Sequence, residues 1–269
     1  MPPKDVSKPD ASIPTISDEN PHSTSNVSLE DQTLLLIARL MEGGLEDEES
    51  IQALDELTHL ITHNAPSKSS VPQGTSKPNV QLHQSIDLDG FETILGFLDM
   101  RQSQVVRGHA ILTTSAYFKA SEEKGAEYLS KFFESRVSKG TYDDLILAFS
   151  VAASVFPIVP EVSANLFLTE GFVKTLGPLM KRKWKSRKVG QAALEMLNAA
   201  CMNTACREAI QKYCTEWLEE VVTEKPRRGS DMTSPDRHAV MEDGIMQQRY
   251  HSENVRTLAA VVLAKLQVG

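Results

Sequence analysis

His59 and His63 stand at i and i+4 in a stretch with helical periodicity, a spacing that places two imidazoles on one helix face. A zinc site needs at least one further ligand, and none is signalled nearby, so the pair reads as two polar residues on a solvated face. The three cysteines, Cys201, Cys206 and Cys214, follow a C-x4-C-x7-C spacing with no histidine interleaved. Zinc sites favour closer cysteine pairs on turns, so these read as reduced thiols packed within helices or partly exposed on them. No G-x-S-x-G elbow, Walker loop or H-E-x-x-H motif occurs. The expectation is a chain that is not an enzyme and that uses neither metal nor cofactor.

Binding chemistry is better represented. The run KRKWKSRK at 181–188 gathers Lys181, Arg182, Lys183 and Lys185 around Trp184. It reads first as a solvated loop between two helices, since cations favour a helix C-terminus. Its alternatives are a nuclear-import signal, a nucleic-acid patch or a contact for an acidic partner, the acidic stretch at 46–49 included. Ser230, preceded by Arg227 and Arg228, has the form of a basophilic kinase site, and Ser234 before Pro235 has a proline-directed form. Phosphate at either would add about two negative charges and could order or release the loop.

The charge balance narrows the partners. Net charge is −8, but residues 1–100 hold 17 acidic against 5 basic residues, and residues 101–269 hold 19 against 23. That asymmetry does not suit nucleic acid as the main partner. No apolar run approaches the roughly 20 residues of a membrane span. The first residues carry neither the apolar core of a secretory signal nor an Arg-rich presequence, so the expected location is the cytoplasm.

The elements that must hold these residues are helices. Residues 1–27 are rich in Pro, Ser, Asp and Asn and are expected to be a disordered tail. Ser28 then reads as an N-cap answered by Asp31. Leu36, Ile37, Leu40 and Met41 follow at helical spacing, Gly43-Gly44 ends that helix, and a second carries Ile51, Leu54, Leu57 and Ile61. Residues 28–63 therefore read as an N-terminal helical pair and 64–85 as a linker. Residues 86–269 read as one helical domain with a polar loop at 224–249. Alternating strand patterns are absent. In FPIVP, Pro157 and Pro160 are expected to break one helix and start the next.

An internal repeat organises that domain. GFETILGFL at 90–98 aligns with GFVKTLGPL at 171–179, matching Gly90 with Gly171, Phe91 with Phe172, Leu95 with Leu176, Gly96 with Gly177 and Leu98 with Leu179. A small-residue helix follows each, with Gly108, Ala110 and Leu112 answered by Gly190, Ala192 and Leu194. VRTLAAVVLAKL at 255–266 is a third of the kind. An offset of about 81 is two units of about 40 residues, the period of armadillo and HEAT repeats. The fold expected is an all-α, armadillo/HEAT-like superhelix whose stacked units bury a continuous core and expose a long surface. Ala192, Ala193, Ala199 and Ala200 would suit an inner helix lining a groove. By analogy with armadillo proteins, whose inner-helix asparagines bond a bound peptide's backbone, Asn198 is a groove candidate with Arg207 beside it. The alternative is that both cap or bridge neighbouring helices.

Three longer stretches resemble the central region of the fungal UCS proteins, a family of myosin-directed chaperones. They are YLSKFFESRVSKG at 128–140, DDLILAFSVAASVFPIVPEVSANLFLTEGFV at 143–173 and ACREAIQKYCTEWLEEVV at 205–222. The resemblance implies an armadillo-like fold and a role as protein-binding co-chaperone or scaffold in myosin folding or assembly. It implies two partners, a myosin motor domain and a large ATP-dependent heat-shock chaperone. In the family the motor is gripped mainly by a further C-terminal domain, and the central region acts largely as a scaffold. Animal members add an N-terminal helical-repeat module, which these residues do not show. Leu258, Val261, Val262 and Leu266 lie on the last helix, where a repeat array normally places a polar cap. Either an earlier element closes the array or the motor-binding domain is missing from this chain. The other function the pattern admits is an unrelated armadillo adaptor for transport or signalling.

Overall fold

The computed structural model describes residues 28–63, 84–169, 172–183, 187–223 and 241–267. The expected tail at 1–27 and most of the linker and polar loop lie outside them. Eleven helices and no strand occur among the described residues. The first five are α1 (Leu29–Glu42), α2 (Asp47–His63), α3 (Leu88–Gly96), α4 (Gln104–Ala120) and α5 (Glu122–Lys139). Then come α6 (Tyr142–Val155), α7 (Pro160–Thr169), α8 (Phe172–Lys183), α9 (Arg187–Ala200), α10 (Thr204–Thr223) and α11 (Met241–Gln267).

Local chemistry sets the boundaries. The Ser28 hydroxyl accepts the Asp31 amide at 3.1 Å and caps α1. Gly43 and Gly44 end it at φ +70° and +73°, a backbone open to glycine and costly for other residues. Thr141 caps α6 by accepting the Asp144 amide at 3.2 Å. Phe156 closes α6, and Pro160 opens α7, as the two prolines require. One boundary departs from the sequence reading. The polar loop expected over 224–249 is cut short, because α11 already starts at Met241. Residues 241–249 are polar but rich in Met, Glu and Gln, which are good helix formers, and polarity alone mistook them for loop.

The helices stack as pairs. α2 packs on α4, α6 on α9 and α9 on α11, with a lighter contact between α4 and α6. These second helices form one layer. The first helices, α1, α3, α5, α8 and α10, form the other, and α7 is inserted between the third and fourth pairs. The two copies of the repeated segment fall on α3 and α8, each the first helix of its pair. This is the all-α, armadillo-like architecture that the period of about 40 residues implies.

Two apolar clusters fill the stack. One joins Leu54, Leu57 and Ile61 of α2 to Phe91, Ile94 and Leu95 of α3 and to Tyr117 of α4. The other joins Phe149, Leu176, Leu194, Leu197, Ile210 and Trp217. α6 belongs to both, with Val151 and Val155 in the first and Leu145, Ile146 and Phe149 in the second. That explains why LILAFSVAASV is apolar all round rather than striped: the helix is buried on every side.

The cluster also accounts for the last helix. Val262 and Leu266 are buried, and Leu258 packs against the same cluster. Among the four residues that the sequence left without cover, only Val261 is exposed. The alanines of α9 are likewise packing groups. Ala192, Ala193 and Ala200 are buried, and Ala199 is partly buried.

Polar links stitch the first three pairs. Thr113 of α4 donates to the Leu54 carbonyl of α2 at 3.2 Å. Arg136 of α5 reaches Glu92 of α3 and Asp144 of α6, each at 3.1 Å. Asp99 holds Arg101 at 2.6 Å, and Arg101 also pairs with Asp143.

Candidate functional site

The two groove candidates meet at the corner where α9 hands over to α10. The corner is tight: the Met202 amide bonds the Ala199 carbonyl at 3.1 Å and the Asn203 amide bonds that of Ala200 at 3.0 Å. The Asn203 side chain then accepts the Cys206 amide at 3.2 Å and caps α10. The shortened last turn leaves the Asn198 carbonyl without a backbone donor of its own. Lys265 of α11 supplies one, its Nζ lying 3.4 Å from that oxygen. A cation at a helix C-terminus also suits the helix dipole.

Three groups at this corner have unused capacity. The Asn198 Oδ1 is buried and has no hydrogen-bond partner, and neither has the Nε of Arg207. Arg207 uses another nitrogen to donate to Thr204 at 3.2 Å. No carboxylate among the described residues lies within ion-pair distance of Arg207 or Lys265. Both cations are felt by the Cys201 thiol. Burial pushes that thiol up from its ordinary value, and Lys265 and Arg207 pull it part of the way back. The Asn198 oxygen and the Arg207 Nε are closed off, whereas the half-buried Arg207 and Lys265 side chains carry charge that suits carbonyl or carboxylate groups.

Lys265 is the residue that sequence reasoning missed. Its signal was a single cation in the last turn of an apolar helix, and its partner lies 67 positions away. The other nominated residues fare differently. Lys181, Arg182 and Lys183 fall in the last turn of α8, with side chains outside those described, while Trp184 and Lys185 lie outside the described residues altogether. Ser230 and Ser234 lie outside them too. His59 and His63 are exposed on α2 and meet edge to face, their ring centroids 3.9 Å apart. Among the described residues no group of three or more His, Cys, Asp or Glu is placed to hold a metal ion.

The cysteines are all buried and unpaired. Burial pushes Cys206 up to about 11 and Cys214 up to about 12. Thiols held that far above neutrality are poor nucleophiles, because the thiolate is the reactive form. Among the described residues no helix is long and apolar enough to cross a membrane.

Paired helices stacked in two layers define an armadillo-type helical-repeat protein. The chain belongs to the family described as myosin-binding striated muscle assembly central (UNC45-central), whose model matches residues 47–269. This is the central region of the UCS proteins that the FPIVPEV segment resembles. No curated protein and no solved structure matches the chain.

Proposed function

We propose that this chain binds a myosin motor domain as a non-catalytic co-chaperone or scaffold. In this reading it works in the cytoplasm beside a large ATP-dependent heat-shock chaperone and assists the motor's folding or assembly. The observation that carries the reading is the match to a myosin-binding family over residues 47–269, which takes in α2 through α11. The geometry supports it, since a stack of helix pairs offers a long surface for a partner. Within that surface, Arg207 and Lys265, at the Asn198 corner, are assigned to the partner's backbone carbonyl and acidic groups. The basic run at 181–185 is a second contact on the same expectation.

The test mixes the 269-residue chain with a purified myosin motor head and follows co-precipitation and heat-induced light scattering of the motor. Binding with suppressed scattering is the expected result. No binding and no protection would overturn the reading. The double variant Arg207→Glu, Lys265→Glu should bind the motor at least about tenfold more weakly, because removing one partner of charged contacts costs about 2 kcal/mol or more.

A further inference from the structure

The layer of first helices has a gap. α5 packs on α4 and α6, α8 packs on α10, and no extensive contact joins α5 to α8. α7, the helix that FPIVPEV starts, bends in beside them but does not close the space. A cavity of about 260 Å³ remains, walled by Phe133, Phe156, Phe167 and Phe172. The rings hold one another in place. Phe172 lies 6.3 Å from Phe133 and 5.9 Å from Phe167, and Phe167 lies 5.8 Å from Phe156. An apolar cavity of about 150 Å³ takes up benzene, so this one has room for a bulky side chain.

Two polar groups in the lining are unspent. The Ser163 hydroxyl is buried, in a residue only 6% exposed, and has no hydrogen-bond partner. A buried hydroxyl left unpaired is costly, and one that borders a cavity gains from any ligand that supplies the bond. Glu134 of α5 is the one charged residue of the lining, is exposed, and makes no ion pair among the described residues. On the same helix Lys131 is engaged by Glu127 and Arg136 by Glu92 and Asp144, so neither is committed to Glu134. The rim hydroxyl of Thr175 is satisfied by the Phe172 carbonyl at 2.9 Å, and that of Ser138 by the Ser135 carbonyl at 3.0 Å.

We infer that this cavity is a docking site for a partner polypeptide that inserts one aromatic or leucine-like side chain and places a lysine or arginine next to it. The phenylalanine walls take the apolar group, Ser163 bonds its backbone, and Glu134 pairs with the adjacent cation. Charge complementarity sets the occupant's chemistry: Glu134 is the charged residue of the lining, and it favours a cation beside the inserted group. The site stands apart from the α9–α10 corner and does not depend on myosin being the partner.

The experiment uses the full chain and fluorescein-labelled hexapeptides, read by fluorescence anisotropy. Ser-Gly-Phe-Lys-Gly-Ser should bind, Ser-Gly-Ala-Lys-Gly-Ser should not, and Ser-Gly-Phe-Glu-Gly-Ser should bind about fivefold more weakly, the upper end for an exposed ion pair. Glu134→Lys should reverse the lysine preference. Val137→Trp, in the lining of α5, should abolish binding of both phenylalanine peptides, with circular dichroism reporting whether it still folds. If it does not fold, Glu134→Lys decides alone. The proposal is overturned if no peptide binds, or if Glu134→Lys leaves the order unchanged. It is also overturned if the wild-type chain dimerises in sedimentation while Val137→Trp is monomeric, which would assign the cavity to a second copy.

Discussion

Replacing Gly177 by alanine puts two effects in opposition, and the structure says which wins. In a helix interior alanine is favoured over glycine by about 1 kcal/mol. At Gly177, however, an added Cβ would stand 2.5 Å from the backbone carbonyl oxygen of Tyr213 in α10. That oxygen cannot rotate away as a side chain could, so α8 and α10 must part by several tenths of an ångström. Overpacking of this kind costs about 1–3 kcal/mol, and parting the helices also loosens Leu176 and Cys214 on either side of the contact. Because the contact is with fixed backbone, the cost belongs at the upper end of that range, about 2–3 kcal/mol, and the net expectation is a loss of about 1–2 kcal/mol. Its repeat counterpart, Gly96, meets nothing within 4 Å, so Gly96→Ala should be neutral or gain about 0.5 kcal/mol. Equilibrium urea unfolding of both variants measures the difference, about 2 kcal/mol between two positions that the repeat aligns. Equal stabilities, or a Gly177→Ala variant firmer than wild type, would refute the close approach of α8 to α10.

Three further outcomes are expected. Asp144 is held below the usual carboxylate range first by the Thr141 hydroxyl and then by Arg136, so its stabilising effect is full above about pH 4 and fades as pH falls through its lowered folded value. Asp144→Asn should therefore be less stable than wild type at pH 7, and the gap should close in acid when urea midpoints are followed against pH. Iodoacetamide at pH 8 should modify Cys201 before Cys206 and Cys206 before Cys214, because Lys265 and Arg207 offset burial at Cys201 alone and burial opposes the thiolate most at Cys214; peptide mapping by mass spectrometry gives the order, and early labelling of Cys214 would contradict it. The Tyr117 hydroxyl is buried without a partner, so Tyr117→Phe should change stability by less than about 0.5 kcal/mol or raise it, in contrast to the cost of losing a made hydrogen bond. A clear drop in the urea midpoint would show that this hydroxyl has a partner.

What the sequence made legible was local or periodic. Ser28 caps α1 because its hydroxyl needs only an amide three residues on, and Pro160 starts α7 because the ring, lacking an N–H, fits best in a helix's first turn. The match of Phe91 with Phe172 was visible because both fill the same position in first helices two units apart. What stayed hidden depends on distant partners. Nothing near Gly96 or Gly177 tells which one touches another backbone, since Tyr213 is 36 residues beyond the second. The role of Lys265 shows only once α9 is placed beside α11, since its partner Asn198 lies 67 positions away. The unbroken apolar run of α6 gave its burial but not that two clusters divide it. Asn198 and Arg207 were found by their polarity in apolar helices, but their meeting at one corner required the turn at 200–204.

The double membership of α6 sets how the array transmits load. In a simple stack each helix pair leans only on its neighbours, so a pull on the ends peels units away one at a time. Here Val151 and Val155 brace one side and Leu145 and Phe149 the other, through one rod of 14 residues. A tug on either half is felt by the same helix, which makes it the keystone: the flanking pairs can be drawn off singly, while displacing α6 collapses both sides together.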